Sequence, residues 1–179
     1  TGTNGKSTTV SLLHHLFSRA GVKSVLAGNI GYPFLRAVTE HPKTEIFVVE
    51  VSSYQLETAV KFHARAAVIL NVTPDHLDRY DSLADYARAK ARIFLNQTPD
   101  DLALLNADES WQRELAKKLS ARVQWFTMRD AGAKPGPGAF VRGDSIWLDT
   151  GGAARELLAL HDTRLLGRHN LQNLMAAAL

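Results

Sequence analysis

Cysteine is absent from the 179 residues. That excludes disulfides and thiolate-ligated metal centres, and it fits a reducing compartment such as the cytoplasm. No apolar run approaches the ~18 residues that a membrane span needs, so no membrane partner is expected. A signal-peptide pattern is also missing from the N-terminus. Charge of one sign is scarce: 21 Lys and Arg face 18 Asp and Glu, a net charge of +3. Nucleic-acid binders cluster their basic residues. Here they form only short pairs such as Lys117-Lys118, so no nucleic-acid partner is expected. Internal repeats and low-complexity tracts are lacking too.

What is present reads as one soluble globular domain, with a length sufficient to bury a sizeable core. Both ends read as internal to a larger protein. The chain begins Thr1-Gly2-Thr3-Asn4-Gly5-Lys6-Ser7, already inside a phosphate-binding loop, where a preceding strand is expected. It ends Asn173-Leu174-Met175-Ala176-Ala177-Ala178-Leu179, inside a helical pattern with no stop signal.

The hydrophobic pattern alternates between two periods. Val10, Leu13, Leu16, Phe17 and Ala20 recur at helical spacing, and Gly21 supplies a stop. Val22 to Ala27 reads as a short strand. The runs Ile46 to Val49 and Ala66 to Val72 are continuous and rich in β-branched residues, as in strands buried on both faces. Ser82 to Asn96 reads as a helix with Ser82 as N-cap. A strand at Leu102 to Leu105, a helix at Glu109 to Leu119 and a strand at Val123 to Phe126 follow. This alternation predicts an α/β fold with a mostly parallel sheet flanked by helices. After the glycine- and proline-rich stretch Ala131 to Gly138 the rhythm changes. Ala139 to Arg142 and Ser145 to Leu148 flank Gly143-Asp144, a hairpin signal. A small antiparallel patch near residues 139–148 is therefore expected.

The chemistry starts at Gly2-Thr3-Asn4-Gly5-Lys6-Ser7-Thr8, which opens a helix. Glycines let backbone N–H groups close around phosphate oxygens, and the helix N-terminus favours negative charge. Lys6 can reach the terminal phosphates, and the Ser7 hydroxyl can bind Mg²⁺. The glycines are spaced G-x-x-G-K-S, tighter than the usual phosphate loop, so a plain turn before a helix is the competing reading. In a parallel sheet all strands end at one edge, where ligands bind. Glu50 ends one such strand and His76 follows another. Carboxylate, imidazole and hydroxyl together suit a divalent cation bridging phosphates; each taken alone also fits a structural role. Lys90 falls by spacing in an apolar stripe with Leu83, Tyr86, Ala87, Ile93 and Phe94. It is either a snorkelling lysine or a partly buried amine with a lowered pKa.

Together these segments resemble the Mur ligase family. The motifs are Thr1 to Thr8, Gly28-Asn29-Ile30-Gly31, Glu50-Val51-Ser52-Ser53-Tyr54-Gln55-Leu56-Glu57, Leu70 to Tyr80, Tyr86 with Lys90, and Gly167-Arg168-His169-Asn170-Leu171-Gln172-Asn173. They occur in the family's order over essentially the whole chain. The Gly28 and Ser52 motifs point to the D-glutamate-adding member. The resemblance implies that residues 1–179 are the central, P-loop NTPase-like ATP-binding domain of a three-domain parent. The implied reaction joins D-glutamate to UDP-N-acetylmuramoyl-L-alanine through an acyl phosphate, as a step of peptidoglycan precursor synthesis. The other two domains would hold those substrates. By the same resemblance, Lys6 and Ser7 match phosphate and Mg²⁺ contacts, and Glu50 and His76 match metal ligands. Lys90 matches a carbamylated lysine beside a second Mg²⁺. Asn29 matches a contact near the reacting groups, and Asn170 and Asn173 match contacts to adenine. Asn170 also fits a simple helix cap. Another amide-forming Mur-type ligase or a folate-polyglutamate ligase shares the phosphate loop. A nucleotide-gated binding module is the rival from a different class.

Overall fold

The computed structural model describes residues 1–75, 79–164 and 167–179. Its elements alternate as expected. Helix α1 (Lys6–Arg19) leads to β1 (Ser24–Gly28), α2 (Phe34–Glu40), β2 (Ile46–Glu50), α3 (Ser53–Thr58) and β3 (Ala66–Ile69). Then follow α4 (Leu83–Ala91), β4 (Leu102–Asn106), α5 (Ser110–Ala116), β5 (Arg122–Phe126), β6 (Gly138–Arg142), β7 (Ser145–Asp149), β8 (Arg155–Ala159) and α6 (Arg168–Ala178). No helix among the described residues is long and apolar enough to cross a membrane.

The strands form two groups. β1 and β2 pair in parallel, with Gly28 opposite Glu50. The other six run in the order β3-β4-β5-β6-β7-β8. The pairings from β3 to β6 are parallel, and those from β6 to β8 antiparallel. The expected antiparallel patch is thus present, with Gly143 at φ 56° in its turn. It is larger than expected, because β8 adds a third strand.

The apolar runs are buried on both faces. Ala67 and Ile69 of β3, Ala103 and Leu105 of β4, and Trp125 of β5 enter one core with Tyr86, Ile93 and Phe94 from the α4 region. Leu70 and Phe126 enter the opposite core with Ala139, Ile146, Leu148 and α6 residues Met175 and Ala176. Successive side chains of a strand point to opposite faces, so a strand sandwiched by helices must be apolar throughout. Burying one such large side chain contributes about 1.5–3 kcal/mol.

Several boundaries differ from the sequence expectation. The α4 region stops at Phe94, after a 3₁₀ turn over Arg92–Phe94, because Asn96 donates its amide to the Val60 and Phe62 carbonyls, both at 2.8 Å. Leu83, placed in the apolar stripe by spacing, is 40% exposed. As the first residue of α4 it precedes the turns that pack on the sheet. The expected N-cap does form, since Ser82 accepts from the Asp85 N–H. Gly21, at φ 76°, follows the end of α1 as expected.

Candidate active site

Four chain segments converge on the phosphate loop. The first is the end of β3. Thr1 N–H donates to the Val68 carbonyl at 2.9 Å and Thr3 N–H to the Asn71 carbonyl at 3.0 Å. Asn71 then clamps the loop from its side chain, accepting from Asn4 N–H at 2.9 Å and donating to the Asn4 carbonyl at 3.1 Å. Thr73 N–H donates to the Thr3 hydroxyl oxygen at 3.1 Å, and that hydroxyl donates to the Thr73 carbonyl at 3.3 Å. Asn71 and Thr73 fall within the Leu70 to Tyr80 motif, but residue type and spacing give them no distinct role. Their place just beyond a parallel strand's C-terminal end is the signal that could have singled them out.

The loop ends at Gly5, which is the N-cap of α1 with φ 84° and no side-chain cap. The first N–H groups of α1 therefore lack intrahelical partners and present a site suited to phosphate oxygens. Lys6 Nζ donates to the Gly2 and Thr3 carbonyls, both at 3.0 Å, so its ammonium already lies over the loop. Glycine is required at Gly5 for two reasons. Its φ is left-handed, and a Cβ there would lie 2.2 Å from Asn173 Oδ1.

The second segment brings a carboxylate. Glu50, at the end of β2, is 2% exposed. It receives hydrogen bonds from two neutral donors, Ser7 Oγ at 2.7 Å and Asn29 Nδ2 at 2.9 Å. Gly28, at φ 104°, makes the Asn29 contact possible, because a Cβ there would meet the Glu50 carbonyl oxygen at 2.2 Å. Asn29 N–H donates to that same carbonyl at 2.8 Å. The structure thus gathers Ser7, Asn29 and Glu50, expected from widely separated motifs, around one carboxylate. A serine hydroxyl and a carboxylate are hard oxygen donors suited to Mg²⁺. His76, another expected ligand, lies outside the described residues.

The third segment is α4. Lys90 is 1% exposed. It donates to the Gly2 carbonyl at 3.1 Å and lies 4.2 Å from the centre of the Tyr86 ring. Burial pushes its pKa down from 10.5 to about 7, and the Lys6 charge adds to the effect while Asp75 opposes it. Of the two sequence readings, the snorkelling lysine is therefore overturned: the amine points inward, into the loop. No spacing argument alone could decide this, since both readings place the side-chain stem on the same stripe.

At the start of α6, Asn173 is 2% exposed and donates to Asn170 Oδ1 at 3.3 Å. The cap of this helix is Gly167, at φ 91°. Asn170 therefore lies within the first turn and does not cap the helix. Both asparagines share one face, as their i, i+3 spacing requires, and Asn173 backs the loop at Gly5.

The comparisons agree over the full length. The model of the Mur ligase middle domain matches residues 1–179. A UDP-N-acetylmuramoylalanine–D-glutamate ligase of Desulfitobacterium hafniense is 44% identical over 177 residues, which are 99% of this chain and 38% of that relative. The ligase of the same name from Alkaliphilus metalliredigens is 37% identical, again over 99% of this chain and 38% of its own length. The chain thus spans well under half the length of these relatives. Among solved structures, a UDP-N-acetylmuramoyl-L-alanyl-D-glutamate–2,6-diaminopimelate ligase superposes with a TM-score of 0.76 at 23% identity, covering 98% of this chain and 40% of that one. MurF ligase from Thermotoga maritima in complex with ADP superposes with a TM-score of 0.72 at 19% identity, covering 98% of this chain and 42% of that one. At these identities the structures speak for the fold.

Proposed function

The chain belongs to the Mur ligase family, and from that premise we propose that it is the ATP-binding middle domain of the ligase that joins D-glutamate to UDP-N-acetylmuramoyl-L-alanine. The observation that carries the reading is the convergence of Lys6, Ser7, Asn29, Glu50 and Lys90 on one loop. The names borne by its relatives of 37–44% identity support the choice of substrates. The chain spans 38% of those relatives, and the family resemblance implies that a domain before it would hold the UDP-sugar and one after it the amino acid.

The reaction begins when an oxygen of the substrate carboxylate attacks the γ-phosphorus of ATP and ADP leaves. The amine of D-glutamate then attacks the acyl carbon, loses a proton and expels phosphate. Phosphoryl transfer of this kind needs positioning and charge neutralisation more than covalent catalysis. The first turn of α1 binds phosphate oxygens, and the Lys6 ammonium neutralises charge on the transferred group. Ser7 and Glu50, with His76, would hold Mg²⁺, which when bound neutralises charge on the phosphates. Asn29 holds the Glu50 carboxylate in place and would contact the reacting groups. Asn170 and Asn173 would read adenine.

Lys90 has its own role in this reading. A buried amine with a pKa near 7 is neutral for much of its time, and only a neutral amine attacks the carbon of CO₂. The N–C bond forms, one N–H proton is lost, and the product is a carbamate, a hard oxygen ligand for a second Mg²⁺.

The test uses the full-length ligase with ATP, Mg²⁺ and UDP-N-acetylmuramoyl-L-alanine, and measures phosphate release with a panel of D- and L-amino acids. Ligation confined to D-glutamate is expected. Preference for another amino acid, or for a folate acceptor, would overturn the assignment.

A further inference from the structure

Glu57 lies at the end of α3, away from the phosphate loop in sequence and assigned no role above. Its carboxylate is divided between two neighbours in the chain. Arg79 donates to Oε2 at 2.6 Å, and the Tyr80 hydroxyl donates to Oε1. An exposed ion pair by itself is worth little. The informative partner is Tyr80, whose hydroxyl is held by the carboxylate. Its ring lies 6.3 Å from Tyr54 in a near-parallel stack and 5.0 Å from Tyr86. Tyr86, 1% exposed, is the residue whose ring faces the Lys90 amine at 4.2 Å. The guanidinium of Arg79 covers the outer end of this row, 4.7 Å from the centre of the Tyr54 ring. A continuous series of contacts therefore runs from the Glu57 carboxylate through two phenol rings to the buried amine.

We propose that Glu57 is a positioning residue that, through Tyr80 and Tyr86, holds the Lys90 amine against the Gly2 carbonyl. The physical basis is that a lysine stem carries many rotamers and is ordered only by what packs around it. Tyr86 supplies one wall of that packing, and Tyr80 is the ring that backs it. Without an acceptor for its hydroxyl, Tyr80 has less to hold it in the stack, and the wall loosens.

This inference rests on the reading of Lys90 as part of the phosphoryl-transfer site, and the experiment separates the two. The variants are Glu57→Ala, Tyr80→Phe and the conservative Glu57→Gln, which keeps an acceptor for Tyr80. In the first arm, each full-length variant, in buffer free of CO₂ and Mg²⁺ so that Lys90 is the free amine, is pulse-acetylated with acetic anhydride, and Lys90 labelling is measured by peptide mass spectrometry relative to Lys134. Lys134 has a side chain 5% exposed and paired with Asp149, so it reports general loosening of the fold. Glu57→Ala and Tyr80→Phe are expected to raise the Lys90-to-Lys134 ratio about tenfold through local opening, with Glu57→Gln close to the unmodified chain. An unchanged ratio in Glu57→Ala, or a rise there without one in Tyr80→Phe, overturns the proposal. So does a parallel rise of both lysines.

The second arm measures ligation by the full-length enzyme, where Glu57→Ala should lower kcat while leaving KM for ATP near its original value. A fall in affinity with kcat unchanged would overturn the proposal. Absence of ATP-dependent ligation in the unmodified enzyme would sink the function proposed above, and the labelling result would still decide the role of Glu57.

Discussion

Lys6 and Lys90, 84 positions apart in the sequence, donate to the same oxygen, the Gly2 carbonyl, at 3.0 and 3.1 Å. Two ammonium groups cannot share one acceptor cheaply in a low-dielectric site. Burial, with the Lys6 charge adding to it, lowers the Lys90 pKa to about 7. In the proposed reading Lys6 binds phosphate, and Lys90 is an amine able to change its chemistry.

Replacing Lys90 by alanine in the full-length ligase should lower kcat by roughly 10²–10³-fold, the range for losing one preorganised electrostatic group. Lys90→Arg should fail as well, since a guanidinium stays charged and cannot form a carbamate. Short carboxylic acids added to Lys90→Ala should restore part of the activity. Steady-state kinetics with and without acetate or formate checks this, and full activity of Lys90→Arg would remove the carbamate from the mechanism.

Gly5→Ala tests the loop. The left-handed backbone alone costs an alanine about 1–2 kcal/mol, and its Cβ would also strike Asn173 Oδ1. ATP affinity, measured by calorimetry, should fall. The pair Gly5→Ala with Asn173→Ala should recover some folding stability by removing the clash, but no affinity, because in the proposed site Asn173 also reads adenine. Asn173→Ala by itself should weaken ATP binding by about 1–3 kcal/mol, the cost of an unpaired polar edge. Unchanged affinity would limit Asn173 to supporting Gly5.

Glu50 separates charge from hydrogen bonding. Glu50→Gln keeps an acceptor for Ser7 or Asn29 and should leave the unfolding midpoint nearly unchanged. It should nonetheless abolish the Mg²⁺-dependent part of ATP binding, because a neutral amide is a poor ligand for a hard cation. Glu50→Ala should also destabilise the fold by about 1–3 kcal/mol, leaving both donors unpaired. Titrations with and without Mg²⁺ measure the first effect and urea unfolding the second.

A pH test concerns the far end of β4. Asp101, just before that strand, accepts from Thr98 N–H at 2.7 Å and lies 2.7 Å from His63 Nε2. Its pKa is lowered from 3.8 to about 2, with the Thr98 N–H the largest cause and His63 next. A carboxylate with a depressed folded pKa contributes stability that is fully present above 3.8 and lost as pH falls towards 2. Asp101→Asn should therefore be less stable than the unmodified chain at neutral pH, and the gap should close through that acid window. Urea unfolding at several pH values measures it, and a gap that stays constant would refute the assignment.

By itself the sequence determined the alternating α/β layout, the phosphate loop with Lys6 and Ser7, and the hairpin at Gly143-Asp144. Each is written in local periodicity, or in residue types that tolerate few backbone conformations. Helices α2 and α3 and strand β8 were not legible. The two helices have seven and six residues, too few for a periodic signal, and β8 has no clean alternation of buried and exposed positions. The tertiary structure alone decided which partners the chemical groups have. Glu50 meets Ser7 and Asn29 because β2 pairs with β1 and packs beside α1. Lys90 turns inward because Tyr86 and the Gly2 carbonyl flank its amine. Spacing places a residue on a face, whereas its protonation and partners depend on charges and dipoles contributed by segments distant in the chain, and these come together only when the sheet and its covering helices exclude water.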